Sequence, residues 1–192
     1  MKIIENNIEN EFLIKNSKFI TLLYNINNLD EINIILENIK KEYKKATHYC
    51  YAYILGDVKY SNDDGEPSGT AGAPILNVLE KNNLTNVLCI VVRYFGGIKL
   101  GAGGLIRAYG KAAREALKKA TLKEIKNGYE VTFEIDYDLL SQINSILNKQ
   151  KVLSKTFDIK IKYCVFIESM DNELLDFLKE LNIEYKIEKK CL

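Results

Sequence analysis

The stretch from Val87 to Lys119 constrains this chain more than any other: VLCIVVRY, then FGGIKLGAGG, then LIRAYGKAAREALKK. The first run is apolar and β-branched, which reads as a buried strand; the glycines follow where the backbone must turn sharply, and a helical pattern opens at the end of the loop. A helix that starts from such a loop presents unpaired N–H groups, here near Gly101, Gly103 and Gly104 and beside Lys99 and Arg107. That is the geometry of an anion site.

The helix itself is two-sided. At about 100° per residue, Arg107, Lys111, Arg114 and Lys118 fall within a wedge roughly 60° wide, while Leu105, Tyr109, Ala112, Ala116 and Ala120 form a face of mostly small residues suited to lying close on a sheet. Between Arg93 and Lys119 only Glu115 is acidic, against seven cations: Arg93, Lys99, Arg107, Lys111, Arg114, Lys118 and Lys119. A solvated basic face is the plain reading of such a stripe. The adjoining glycine loop adds the reading that the surface meets phosphates.

With 192 residues and 47% hydrophobic content, the chain has material for one or two real cores. Its 27 basic and 26 acidic residues leave a formal net charge of +1, so any attraction for nucleic acid has to be local. Cys50, Cys89, Cys164 and Cys191 form no CxxC pair, and His48 is the sole histidine, which argues against a zinc site. No apolar run is long enough to span a bilayer and no signal peptide is evident, so a cytoplasmic protein without a membrane partner is expected.

The remaining sequence orders itself around this block. FLIK and KFITLLY, either side of Asn16 and Ser17, read as a hairpin; Asp30 is expected to cap a helix running to about Lys45. HYCYAYILG is a strand, with His48, Cys50 and Ala52 on one face and Tyr49, Tyr51 and Tyr53 on the other. SNDDGEPSGTAGAP is a shaped loop, and Pro74 suits the first turn of the helix ILNVLEKN. Beyond Gly128 the order strand, helix, strand, strand, helix, strand is the ferredoxin-like signature, its apolar alternation suiting a sheet with one face on helices. KEIKNG, Lys123 to Gly128, is the natural linker between domains spanning 1–124 and 128–192.

Several candidate chemistries can be weighed on these residues. GxxxxGK[ST] is absent, and Ile106 stands where GxGxxG needs its third glycine, so standard nucleotide loops are not supported. Asp63, Asp64 and Glu66 could suggest a hard cation, yet their spacing does not fit a calcium loop and DDGEP is what a tight turn requires. Ser68 and Thr70 have no sequence link to His48 that would activate a hydroxyl, and a lone histidine on a strand reads first as a hydrogen-bonded structural group. The tyrosines read as core or sheet surface, although aromatic rings beside basic residues also serve single-stranded RNA. No catalytic constellation, metal or cofactor is expected.

SKFIT, HYCYAY, YSNDDGEPSGTAGAPIL and VVRYFGGIKLGAGGLIRAYG resemble, in order, the motifs of the YigZ/IMPACT family, and the trailing unit resembles the smaller C-terminal domain of its bacterial members. The resemblance implies a first domain of the kind shared by a small-subunit ribosomal protein, elongation factor G domain IV and the small-metabolite kinases: a four-stranded sheet with helices on one side. It also implies a second domain similar to the C-terminal domain of elongation factor G. Eukaryotic members of the family are associated with control of translation initiation through protein partners, and no established catalytic residues accompany the likeness.

The expectation is therefore an α+β, two-domain, non-enzymatic factor that binds RNA, the ribosome or a translation-control protein. Arg93, Lys99, Arg107, Lys111, Arg114 and Lys118 would neutralise phosphates, amides near Gly101, Gly103 and Gly104 would donate to them, and His48, Asp63, Asp64, Glu66, Ser68 and Thr70 would line the rim of the groove. The rival is a phosphate- or nucleotide-binding enzyme of the small-metabolite-kinase kind, with Asp64 or Glu66 supporting magnesium.

Overall fold

The computed structural model describes residues 1–191, the side chain of Cys191 excepted. It divides into two compact units, Met1–Glu124 and Ile125–Leu192.

The first unit is built on a five-stranded antiparallel sheet in the order β2-β3-β6-β4-β5: β2 (Ile8–Ile14), β3 (Ser17–Asn25), β4 (His48–Leu55), β5 (Val58–Asn62) and β6 (Val87–Tyr94). β1 (Lys2–Ile4) and β7 (Leu122–Glu124) form a separate antiparallel ribbon. The β2–β3 hairpin turns through Lys15 and Asn16, both at positive φ (46° and 62°), as a two-residue primed turn requires.

Helix α1 (Leu29–Glu42) starts two residues earlier than a cap at Asp30 would have it. Asn28 is the cap, its side chain accepting from Glu31 N–H, while Glu31 reaches back to the Asn27 N–H at 2.9 Å. This helix buries Ile32 and Ile39 against Ile20, Leu22, Leu88, Ile90 and Val92 on one face of the sheet. Helices α2 (Gly72–Lys81) and α3 (Ala102–Leu117) pack on the other, over Phe19, Leu23, Cys50, Ala52, Cys89 and Val91. The expected four-stranded sheet with helices on one side is thus corrected: there are five strands, and helices cover both faces. The cause is visible in β3 and β6, whose residues are apolar at consecutive rather than alternate positions, so each face of those strands needs its own cover.

α3 lies close on the sheet because the residues it turns inward are small: Ala108, Gly110, Ala112, Ala113 and Ala116 are buried, with Leu105, Tyr109 and Leu117 filling the gaps. β6 leads into it through a loop in which Gly96 passes so near the β2–β3 turn that a Cβ would meet the Asn16 carbonyl at 2.0 Å.

The second unit runs β8 (Asn127–Ile135), α4 (Leu140–Leu147), β9 (Lys151–Phe157), β10 (Ile161–Ile167), α5 (Glu173–Glu180) and β11 (Tyr185–Cys191). Its antiparallel sheet has the order β11-β8-β10-β9, and Val131, Phe133, Ile135, Tyr163 and Val165 meet Ile143, Leu174, Leu175 and Leu178 in one core. Among the described residues no helix is long and apolar enough to cross a membrane.

Candidate nucleic-acid interface

The loop between β5 and α2 is held by its own acids. Asp63 to Glu66 is a tight turn, with Asp64 and Gly65 at positive φ and Glu66 N–H donating to the Asp63 carbonyl at 3.0 Å. The Asp63 carboxylate accepts from three amides, Gly69 (2.8 Å), Ala71 (2.9 Å) and Gly72 (2.8 Å), and so caps α2 from a distance. Burial opposes ionisation of Asp63, yet these N–H groups outweigh it and hold the carboxyl below its ordinary range. Asp64 accepts from Tyr49 N–H at 2.6 Å, and Thr70 Oγ1 donates to the Pro67 carbonyl at 2.6 Å. Ser68 is exposed, whereas Thr70, expected on the rim, is buried, its hydroxyl turned in to the Pro67 carbonyl. Asp63, Asp64 and Thr70 thus shape and anchor the loop.

Glu66 turns inward. Its carboxylate pairs with the Arg93 guanidinium and accepts a hydrogen bond from the Tyr109 hydroxyl at 2.7 Å, with both charged side chains about nineteen-twentieths buried (4% and 5% exposed). Arg93 also donates through Nη2 to Ser17 Oγ at 3.4 Å and lies 5.4 Å from the ring centroids of both Phe19 and Phe95. His48 Nδ1 donates to the Asp64 carbonyl at 2.8 Å and sets Nε2 3.9 Å from Glu66 Oε2. Cys50 donates to the Asp63 carbonyl at 2.9 Å and sits 3.3 Å from the Tyr109 hydroxyl; burial pushes its thiol up to about 12. The Tyr109 phenol is driven well above its usual range, first by burial and then by Cys50 and Glu66.

This cluster corrects two expectations. Arg93 does not face phosphates, because β6 carries it on the same face as Val87, Cys89 and Val91, beneath α3, where its charge is matched by Glu66. Glu66, correspondingly, is not on a rim but in the interior. Nothing in the order of residues links Glu66 to Arg93 or Tyr109, since the partners lie 27 and 43 positions apart; the sole hint is the even alternation that puts Arg93 among core residues.

The other cations stay outside. Arg107, Lys111, Arg114 and Lys118 are exposed along the solvent side of α3, and Lys99 is exposed in the loop before it. Glu115 registers their field: a hydrogen bond from Lys118, with the charges of Lys118, Lys111 and Arg114 behind it, holds its carboxyl below the ordinary value. Lys111 Nζ lies 5.4 Å from the Phe12 ring centroid. At the N-terminus of α3, Gly101 adopts φ 71° and ψ 163°, a region open in practice only to glycine, and no side chain caps the helix. Its first-turn amides, around the exposed Gly103 and the half-buried Gly104, therefore remain donors. Phe95, Ile98 and Ile106 add exposed apolar surface beside them, between 44% and 46% accessible. Composition did not single out these three, because an isolated apolar residue in a loop carries no periodic signal.

The second unit offers an open groove of about 690 Å³ among Glu134, Asp136, Lys160, Lys162, Glu184 and Lys186. Its walls carry both signs of charge, unlike the outer side of α3.

Fold and site together define a two-unit α+β protein organised around a glycine loop and a basic helix. Residues 15–117 match the Impact N-terminal domain. The chain is 39% identical to IMPACT family member YvyE of Bacillus subtilis, over 90% of this chain and 82% of that protein. It is 36% identical to IMPACT family member YigZ of Escherichia coli, over 71% and 69% respectively. A crystal structure described only as a hypothetical protein superposes with a TM-score of 0.66 at 27% identity, covering 97% of this chain and 95% of that one. The chain belongs to the IMPACT family.

Proposed function

We propose that this protein is a non-enzymatic, translation-associated regulator that binds RNA or an RNA surface of the ribosome through the outer face of α3 and the glycine loop before it. The link to translation comes from the family likeness. The observation that carries the binding reading is the single-signed face itself: Arg107, Lys111, Arg114 and Lys118 project together from one helix whose first-turn amides are uncapped. Phosphates would meet the side chains along α3 and the amides at its start, with Lys99 closing the near end. Arg93 and Glu66 act from beneath, tying the loop of Asp63 to Thr70 and the helix to the sheet.

A cytoplasmic setting follows from that role. The β-α-β-β-α-β order and its sheet order also support assigning the second unit to the ferredoxin-like class. The non-enzymatic reading is supported by how the converging polar groups are arranged: Glu66, Arg93 and Tyr109 are buried and bonded to one another rather than directed into a pocket.

Fluorescence anisotropy with labelled RNA across a salt series tests the proposal. About four phosphate contacts give a log–log slope near −3, taking roughly −0.7 per phosphate for single strands. Arg107→Glu with Lys111→Glu should flatten the slope and weaken binding; an unchanged affinity would refute the assignment. Thermal-shift measurements against nucleotides with magnesium address the rival, which a reproducible rise of several degrees would favour.

A further inference from the structure

The outer side of α3 carries the same triplet twice. Gly103, Arg107 and Lys111 recur seven residues later as Gly110, Arg114 and Lys118: a glycine, an arginine four positions on, and a lysine four beyond that. Seven residues are about 10.5 Å along a helix axis with a drift of only about 20° round it, so one triplet stands above the other. The arginines and lysines are used differently. Lys111 Nζ lies 5.4 Å from the Phe12 ring centroid, and Lys118 donates to Glu115, the one acid of the helix, at 2.9 Å. Arg107 and Arg114, both exposed, have no hydrogen-bond or ion-pair partner among the described residues.

The glycines set where the two guanidinium groups lie. A helical side chain leans toward the N-terminus, over the turn before its own. Arg107 Nη1 is 3.5 Å from where a Cβ on Gly103 would stand, and Arg114 places Nη1 at 3.2 Å and both Cζ and Nη2 at 3.9 Å from the Cβ position of Gly110. Each fork rests on bare backbone. Packing requires neither glycine: apart from the helix backbone and adjacent residues, no other atom comes within 4 Å of the Gly103 position, the three nearest at Gly110 all belong to Arg114, and neither has a positive φ. Gly104 differs, with Leu100 Cβ 3.0 Å away. Glycine inside a helix destabilises it relative to alanine, so the two seats weaken α3 without serving its packing. Four residues before Lys111 and Lys118 stand the arginines themselves, which leaves the lysines no such seat.

Resting on the RNA-binding reading above, we propose that Arg107 and Arg114 are the specificity-determining residues of that surface. They form two guanidinium forks about 10.5 Å apart along one helix, each taking a phosphodiester of the RNA backbone through paired N–H donors. Gly103 and Gly110 are their positioning residues. A guanidinium is planar and offers its donors in pairs that match two phosphate oxygens, whereas an ammonium is a point charge. Lys111 and Lys118 add charge around the forks without fixing geometry. Contacts to phosphates carry no base information, so this surface takes RNA without regard to sequence.

The test uses the full chain and two labelled RNA oligonucleotides of equal length and different sequence, across a salt series. Arg107→Lys with Arg114→Lys keeps every charge, so the slope of log affinity against log salt should hold while affinity falls about fivefold per arginine, the worth of one net hydrogen bond lost from each fork. Lys111→Arg with Lys118→Arg, also charge-retaining, should leave affinity as it was. Gly110→Ala separates position from fold: the added methyl lifts the Arg114 fork, so affinity should drop, while the better helix former should hold or raise the melting temperature. A drop in both, or no change in affinity, overturns Gly110 as a positioning residue. If charge reversal at Arg107 and Lys111 weakens binding but the arginine-to-lysine pair changes nothing, the four cations act as equal charges and the forks are overturned while the RNA reading stands. If the wild-type chain binds no RNA, both fall. A preference between the two sequences overturns the phosphate assignment in favour of base edges, and tighter binding of a labelled oligoglutamate than of RNA overturns it in favour of an acidic protein.

Discussion

α3 carries two sets of residues a few ångströms apart whose fates differ completely. Tyr109, on its inner side, joins Glu66 and Arg93 in a buried network. Arg107 and Lys111, two residues either way and so about half a turn round to its outer side, are solvated. In the sequence Arg93 and Arg107 look alike, two arginines flanking one glycine loop. In the fold Arg93 is a structural member whose charge must be matched, and Arg107 is free to meet a partner. The lesson is that the sign of a side chain says little about its role until its burial is known, because the same charge that attracts a ligand in water is a liability in the interior unless it is paired.

That contrast can be broken most sharply at Glu66. Glu66→Ala leaves a buried guanidinium without its counter-ion and should destabilise the protein by about 3–5 kcal/mol, read as a loss of urea midpoint. A double replacement of Glu66 and Arg93 by apolar residues should recover a large part of that loss, which would mark the pair as structural rather than functional.

Asp63 tests the next layer out. Asp63→Ala removes acceptors from three amides and should cost about 1–3 kcal/mol. Because the folded-state carboxyl is held below its ordinary value, its contribution is fully present above the unfolded range and is lost as pH falls below about 4. Thermal melts from neutral to acid pH should therefore converge for wild type and variant; parallel curves would show that the carboxylate is not what holds the loop.

Gly101→Ala should cost about 1–3 kcal/mol through backbone strain alone, since φ 71° with ψ 163° excludes a Cβ. Its effect on RNA binding should exceed that of a surface substitution elsewhere, because it moves the donors at the start of α3. The smallest effect on stability is expected from Arg107→Glu with Lys111→Glu, within about 0.5 kcal/mol per site, together with the loss of RNA affinity already described. A large loss of stability there would erase the distinction between the two faces of the helix.

Much of this architecture could be read along the chain. The elements of the second unit fall within a few residues of where their apolar alternation puts them, and α3 buries the small-residue face that its 3.6-residue period picks out. Three features were harder. β1 and β7 are three residues each, too short for a periodic signal, and β5 begins inside what reads as the approach to a glycine-rich loop. The helix on the second face follows from the unbroken apolar runs of β3 and β6, which need cover on both sides, whereas the family resemblance implies a one-sided sheet.

Local and periodic features are legible along the chain: which segments are strands or helices, where the glycines force turns, and that one side of α3 is basic. These depend on neighbours within a few positions, which a linear reading can see. Which charges remain available is set by the packing of distant segments. Glu66 finds Arg93 across 27 positions and Tyr109 across 43, and α1 covers only part of its sheet because one helix is narrower than five strands. Both outcomes depend on three-dimensional proximity and on the high free energy of an unpaired buried charge, neither of which is written in any short stretch of the chain.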